Sequence, residues 1–446
     1  MNQEVSELIQ DFVETEPEAI AVKVDEMITS NEAEDIALFL ESLPLEQRLE
    51  FWGNINIEDR LDILLVMRGD PREAIIDSMA LEDLDAIFKD LNAEKLIELA
   101  DSMPTRLIER AFNALDQQQQ QYFEGAQQYD TKSAGHWVDH NVLLLPPNAK
   151  VRDALRLLRR NTPDYSDLIY LVSRSGNLTG VVEVKEIFSA LEHSSIADLV
   201  DKEIEPIMGN EDALKAAQRV QVSRLAALPV VSESNQFLGR MNIYAACEIV
   251  NEDYEAKVMA RAGLDEDVDL FAPILKSTQS RMIWLGINLL TAFLASWFIG
   301  LFEATLQEVV ALAVLMPVVA SMGGIAGSQT LTLIIRGLAL GQVTKANFWA
   351  LLKKELGVGA LNGIVWAIVI GITAYFWFDS YMIGAVICCA ILINISAAAL
   401  SGVLVPIILD KLKIDPALSG SVILTTVTDI VGFVAFLGLG SIFLLS

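Results

Sequence analysis

The chain has 446 residues, 52% of them hydrophobic, with a mean hydropathy of +0.40 and a formal net charge of -28. Of its 32 basic and 60 acidic residues, seven of each lie from Ser277 onward, so the whole negative charge belongs to the residues before it. A neutral apolar third behind an acidic two-thirds excludes a single soluble globule, and like charge excludes nucleic acid as a partner of the acidic part.

The N-terminus, MNQEVSELIQDFVETEPE, has no basic n-region and no apolar core, so no secretory signal is expected and the acidic block should stay in the cytosol. Residues 1–130 read as helices throughout. Apolar residues recur at helical spacing in IALFLESLP, RLEFWGNINIEDRLDILLVM, LDAIFKDL and LIELADSMPTRLIERAFNAL, and Leu43-Pro44 and Met103-Pro104 mark helix starts. The pattern predicts a short helical solenoid with Gln117–Gln121 in or near its last helix. His136 and His140 flank Asp139 at a spacing that could ligate a metal on a helix, although Gly135 and Pro146-Pro147 favour a linker there.

An internal repeat follows at an offset of 59 residues. Asp153-Ala154-Leu155 matches Asp212-Ala213-Leu214, Val172-Ser173 matches Val231-Ser232, Ser175 matches Ser234, and Gly180 matches Gly239. Each copy reads helix, β-branched strand, tight turn, strand and helix, which predicts two tandem β-α-β-β-α copies over about Val138–Val250. Asn251–Lys276 then reads as a charged connecting helix. Cys247, Cys388 and Cys389 make no disulfide framework and read as small apolar side chains.

Five stretches are apolar over the roughly 20 residues a spanning helix needs: Met282–Phe302, Val309–Ile335, Leu356–Phe378, Tyr381–Leu409 and Leu418–Leu445. Gly323-Gly324 and Gly327 are expected to break the second. Arg281, Arg336, Lys345, Lys353, Lys354, Lys411 and Lys413 all fall on one side of this topology, while the other two loops hold Glu303, Glu308 and Asp379. Positive residues stay inside, so the N-terminal block is expected in the cytoplasm and the C-terminus outside. Asp429 lies far from either end of the last span, where an ionised side chain costs about 2.5–3.5 kcal/mol and should face a bundle interior or a water-filled path. Thr425, Thr426 and Gly432 share its side of the helix. With no basic residue at that depth, a cation is favoured over a purely structural carboxylate capped by hydroxyls. In the second span, Met316-Pro317, the glycines and Gln329 suggest a pore wall, with packing alone as the alternative.

The chain resembles the MgtE family of magnesium channels along essentially its whole length. The residues that carry the resemblance are LFEATLQEVVALAVLMPVVASMGG from Leu301, followed by Ile325 and AGSQ, then LIIRGLALG, and DPALSGSVILTTVTDIVG from Asp415. The resemblance implies a multidomain protein: an α-helical superhelical N domain (1–130), an α/β tandem cystathionine-β-synthase (CBS) pair (136–250), a connecting plug helix (251–276) and a five-helix transmembrane domain (277–446). It implies a homodimer in the cell (inner) membrane that takes up Mg²⁺ through a pore on the two-fold axis. Asp429 and the Thr425 carbonyl would bind the hydrated ion, with Gly324, Ile325, Gln329 and Thr426 lining the pore. Regulatory Mg²⁺ on the acidic cytosolic domains would close it, with Glu252, Asp253, Glu255 and the membrane-side Asp415 as metal residues. Further acids stand at Asp83-Leu84-Asp85 and at Asp265-Glu266-Asp267 with Asp269. A nucleotide at the CBS pair is a further expectation. The chain departs from the family where GGNxGxQ has Ile325 in place of Asn, where Val422 replaces a Pro, and where Thr428 precedes the Asp. Two alternatives stay open: a transporter or efflux protein for Mn²⁺, Co²⁺ or Zn²⁺, and a non-conducting CBS sensor. No nucleophile–base set or phosphate-cradling loop suggests an enzyme.

Overall fold

The computed structural model describes residues 20–160, 162–260, 263, 264 and 269–445. The chain forms two compact units, one of residues 1–256 with 266–274, the other of residues 257–265 with 275–446.

In the first unit, nine short helices from Ile20–Ser30 to Gln117–Ala126 follow one another through tight turns. Each is too short to be stable alone, so its apolar stripe must be buried against its neighbours. Phe39, Leu40, Phe51, Ile75, Leu96 and Ala111 are buried in one continuous core. The two predicted helix starts are observed: helices Leu45–Gly53 and Thr105–Ala114 begin directly after Pro44 and Pro104. Asp116 caps the glutamine-rich helix by accepting from the Gln119 amide at 2.8 Å.

One charge lies at the centre of this core. Arg48 is fully buried, and its guanidinium donates to the Leu40 carbonyl at 2.9 Å and to the Leu43 carbonyl at 3.1 Å. Nη1 and Nη2 also grip Asp269 at 2.6 and 2.9 Å, a bidentate pair within the same unit. Asp269 also accepts from the Phe271 amide at 2.8 Å, so the segment just before the first span is tied into the helical solenoid.

The two repeat copies are observed. In the first, β1 (Leu144–Leu145) pairs in parallel with β2 (Leu168–Val172), which pairs antiparallel with β3 (Leu178–Glu183). In the second, β4 (Ile207–Met208), β5 (Ala227–Val231) and β6 (Phe237–Asn242) repeat that order. The offset of 59 extends to the backbone, because Tyr165 and Arg224, and Gly176 and Asn235, take matching positive φ values of 53° and 62°, and 82° and 61°. The turns Gly176 and Asn235 begin pair with each other's copy: the Leu178 amide donates to Asn235 O at 3.1 Å and the Phe237 amide to Gly176 O at 2.9 Å.

The connecting segment differs from expectation. Its helix begins at Ile243, as the continuation of the second copy, and ends at Ala260. Gly263 then takes φ +71°, a conformation that no continuing helix allows. Its last turn belongs to the membrane unit, where Ala260 packs against Leu331, Ile335, Ala417 and Leu424.

The second unit contains five helices long and apolar enough to cross a membrane: Ile274–Gly300, Val310–Ala339, Phe348–Phe378, Tyr381–Lys411 and Pro416–Leu444. The second is one continuous helix through Pro317, Gly323, Gly324 and Gly327, so the expected break is absent. The glycines serve close approach instead. A Cβ at Gly327 would meet Leu424 of the fifth span at 3.0 Å, and one at Gly323 would overlap Asn394 of the fourth at 2.3 Å.

Removing one partner of a buried ion pair strands the other charge, at about 3–5 kcal/mol. Asp269→Ala should therefore lower the first thermal transition of the full chain, followed by the fluorescence of buried Trp52. The double variant Arg48→Met/Asp269→Leu should recover most of that loss. Equal transitions for Asp269→Ala and the unaltered chain would show that the pair does not hold the solenoid.

Candidate functional site

The fifth span begins with a made cap. Asp415 precedes Pro416 at the first helical turn and accepts from the Ala417 amide at 2.7 Å, leaving its exposed carboxylate spare acceptor capacity. The helix then buries Ala417, Gly420, Leu424, Thr428 and Gly432 on one side. Asp429 falls just off that side, half-buried, and no hydrogen bond or ion pair reaches it among the described residues. The neighbouring hydroxyls are committed to their own helix. Thr425 donates to Ser421 O at 3.0 Å, Thr426 to Val422 O at 2.7 Å and Thr428 to Thr425 O at 3.0 Å. None caps the carboxylate, which is what a purely structural Asp in a membrane would require. Exposed Thr425 lies one turn before Asp429, and its carbonyl, named as an ion ligand, already accepts from Thr428.

Two of the residues named as pore-lining, Ile325 and Gln329, lie away from the fifth span that carries Asp429. At 100° per residue, Ile325 and Gln329 lie about 160° around the second span from Gly327 and Leu331, which face the fifth. They line a cavity of about 410 Å³ with Asn362 and Trp366 of the third span and Ile395 of the fourth. Gly324 is half-buried with open space beside it, and Thr426 is half-buried beside Thr425.

In the first unit, the connecting helix faces the solenoid across a cleft of about 690 Å³. Glu248, Glu252 and Glu255 line it from the helix, and Asp70, Glu73, Glu98 and Asp101 from the solenoid, with Arg68 and Arg72 among them. Glu252 and Glu255, singled out in the sequence, are thus brought together, while Asp253 is absent from the lining. Arg68 reaches Glu255 at 3.0 Å. Burial, reinforced by the charges of Glu248 and Glu252, pushes the Glu98 carboxyl up to about 8. Burial also raises Glu248. Sequence reasoning missed both; their only signal is that an acid sits on the apolar side of a short helix, which needs the packed neighbour to be noticed.

The other acidic clusters have different uses. Asp83 pairs with Arg60 at 3.5 Å, Asp85 pairs with Arg110, and Asp269 is the buried partner of Arg48. Asp265, Glu266 and Asp267 lie outside the described residues. The two histidines serve separate neighbours. His140 meets Glu94 at 2.9 Å and stacks on Tyr122, whereas His136 sits edge-on to Trp137. Among the described residues no group of three His, Cys, Asp or Glu side chains is arranged to hold a bare metal ion.

Three family profiles match successive parts of the chain: the MgtE intracellular N domain over residues 31–132, the CBS domain over 134–193, and MgtE, described as a divalent cation transporter, over 316–439. The chain belongs to the MgtE family. The magnesium transporter MgtE of Bacillus subtilis is 24% identical over 92% of this chain and 91% of its own length. That of Thermus thermophilus is 23% identical over 96% of this chain and 99% of its own. A crystal structure of the cytosolic domain of the Mg²⁺ channel MgtE in complex with ATP resembles 51% of this chain and 99% of its own, at 18% identity and a TM-score of 0.37. MgtE proteins are transporters and not enzymes, and the helical N domain, CBS pair and five apolar helices are the MgtE architecture.

The raised Glu98 makes a pH test. The folded state holds this proton up to about pH 8 and the unfolded chain releases it near 4.5, so between those values the folded state binds more protons. Its contribution to stability therefore falls as pH rises through that window. In divalent-free buffer, Glu98→Gln should flatten this part of the melting-temperature profile and raise the value at pH 8. An unchanged profile would show that Glu98 is not the titrating group.

Proposed function

We propose that this chain forms an Mg²⁺-selective channel or transporter for magnesium uptake, with Asp429 as the ion ligand in the membrane. The observation that carries the reading is that, among the described residues, no partner reaches the Asp429 carboxylate midway along a spanning helix, beside hydroxyls that all donate elsewhere. Mg²⁺ sheds water reluctantly, so a single carboxylate and backbone carbonyls around a hydrated ion suit it better than a closed cage. In a homodimer two Asp429 side chains on the axis would match the charge of one dication. Basic residues at one set of span ends support a cytosolic N-terminus, an external C-terminus and a place in the cell membrane. A negative-inside potential then favours entry by about 2.3 kcal/mol per charge per 100 mV, doubled for a dication.

The same reading assigns the acidic cleft to regulation. At low Mg²⁺, repulsion between Glu252 and Glu255 on the connecting helix and Asp101 on the solenoid favours separation. Hydrated Mg²⁺ between them would draw the two sides together. The helix they act on ends at Ala260, against Leu331 and Ala417 of the second and fifth spans, so the change is delivered where the ion path begins. Asp415, beside Ala417, is the membrane-side acid nearest in sequence to that contact. A nucleotide at the CBS pair would act on the same block.

Asp429→Ala should abolish Mg²⁺ flux into proteoliposomes while the protein still inserts, and Asp429→Asn should be nearly as damaging, since shape is kept and charge lost. Normal flux through well-inserted Asp429→Ala would remove the site from the path. For the gate, limited proteolysis should show protection across residues 251–276 with millimolar Mg²⁺ and none with a monovalent salt of equal ionic strength. Identical cleavage in both would leave a path without a cytosolic sensor.

A further inference from the structure

Where the second, fourth and fifth spans meet, the fourth places one amide. Asn394 is 0% exposed, its Nδ2 donates to the Val319 carbonyl of the second span at 2.8 Å, and its Oδ1 has no hydrogen-bond partner. The amide fills a slot between glycines of two different helices. A Cβ at Gly323 would stand 2.3 Å from Nδ2, and one at Gly432 would stand 2.6 Å from the same atom. Gly432 lies three residues beyond Asp429, within one turn of the same helix.

Packing alone does not account for an amide here. A buried acceptor without a donor costs about 1–3 kcal/mol, and a leucine of similar size would leave no such atom. What the amide adds is direction: a hydrogen bond to one helix and van der Waals contact with the backbone of another fix the rotation of both about their axes. We propose that Asn394 is a positioning residue for the ion site, pinning the second span against the fifth so that Asp429 is held at one depth and one rotation. This rests on the reading of Asp429 as the ion ligand. Mg²⁺ demands near-ideal octahedral geometry, whereas Ca²⁺ accepts variable coordination, so a loosened carboxylate penalises Mg²⁺ first. Asn394 thereby determines ion preference without touching the ion.

The test uses the full chain in proteoliposomes, with Mg²⁺ and Ca²⁺ flux measured over a range of concentrations. Asn394→Leu and Asn394→Ala, one filling the slot and one emptying it, should each raise the half-saturating Mg²⁺ concentration by roughly 10-fold and lower the preference for Mg²⁺ over Ca²⁺. Gly323→Ala should do the same in the native background and add nothing to Asn394→Ala, because the atom it collides with is gone. Unchanged half-saturation and ion preference in the inserted Asn394 variants, with maximal flux following only the amount of folded protein, would reduce Asn394 to a packing residue. Asp429→Ala, measured alongside, separates the two ideas: if it conducts normally the ion-site reading fails, and if it is silent while the Asn394 variants behave as native, only this inference fails.

Discussion

An ionised carboxylate in a membrane helix must be compensated, and among the described residues no cation and no hydroxyl donor reaches Asp429. The packing around it follows from that constraint. The fifth span turns its small and apolar side, Gly420, Leu424, Thr428 and Gly432, to its neighbours and leaves the carboxylate at the edge of the packed face. Lipid tails are as apolar as leucine, so the helices are held by close backbone approach rather than by the hydrophobic effect. Glycines at the contacts are the means: Gly402 admits Thr330, Gly420 admits Leu331, and Gly440 admits Leu312.

Much of this is legible in the sequence because it depends on local chemistry. The proline-marked helix starts, the 59-residue repeat and the apolar spans each follow from spacing within one segment. The glycines of the second span predict a break because a sequence shows their backbone freedom but not the Asn394 amide that occupies the space beside one of them. The connecting helix is expected only from Asn251 for a similar reason: IYAAC carries no charge, yet the helix that carries Glu252 already begins there, at Ile243. Glu98 and Glu248 gain their character from each other across a cleft, and residues 150 positions apart leave no joint mark in one chain.

The connecting helix joins two environments with opposite rules. Its earlier turns, in the first unit, carry acids whose repulsion depends on ions in solution. Its last turn carries Ala260, which packs against apolar side chains of the second and fifth spans.

The Arg48–Asp269 pair bears on how the protein is made. The solenoid that builds the Arg48 socket is translated well before Asp269, and domains fold as units from the N-terminus during synthesis. A finished socket with an unmatched buried guanidinium would therefore wait for its carboxylate, which emerges five residues ahead of Ile274, where the first span begins. Capture of Asp269 then coincides with delivery of that span to the bilayer, so the tether closes only when the two halves of the chain are about to part into different solvents.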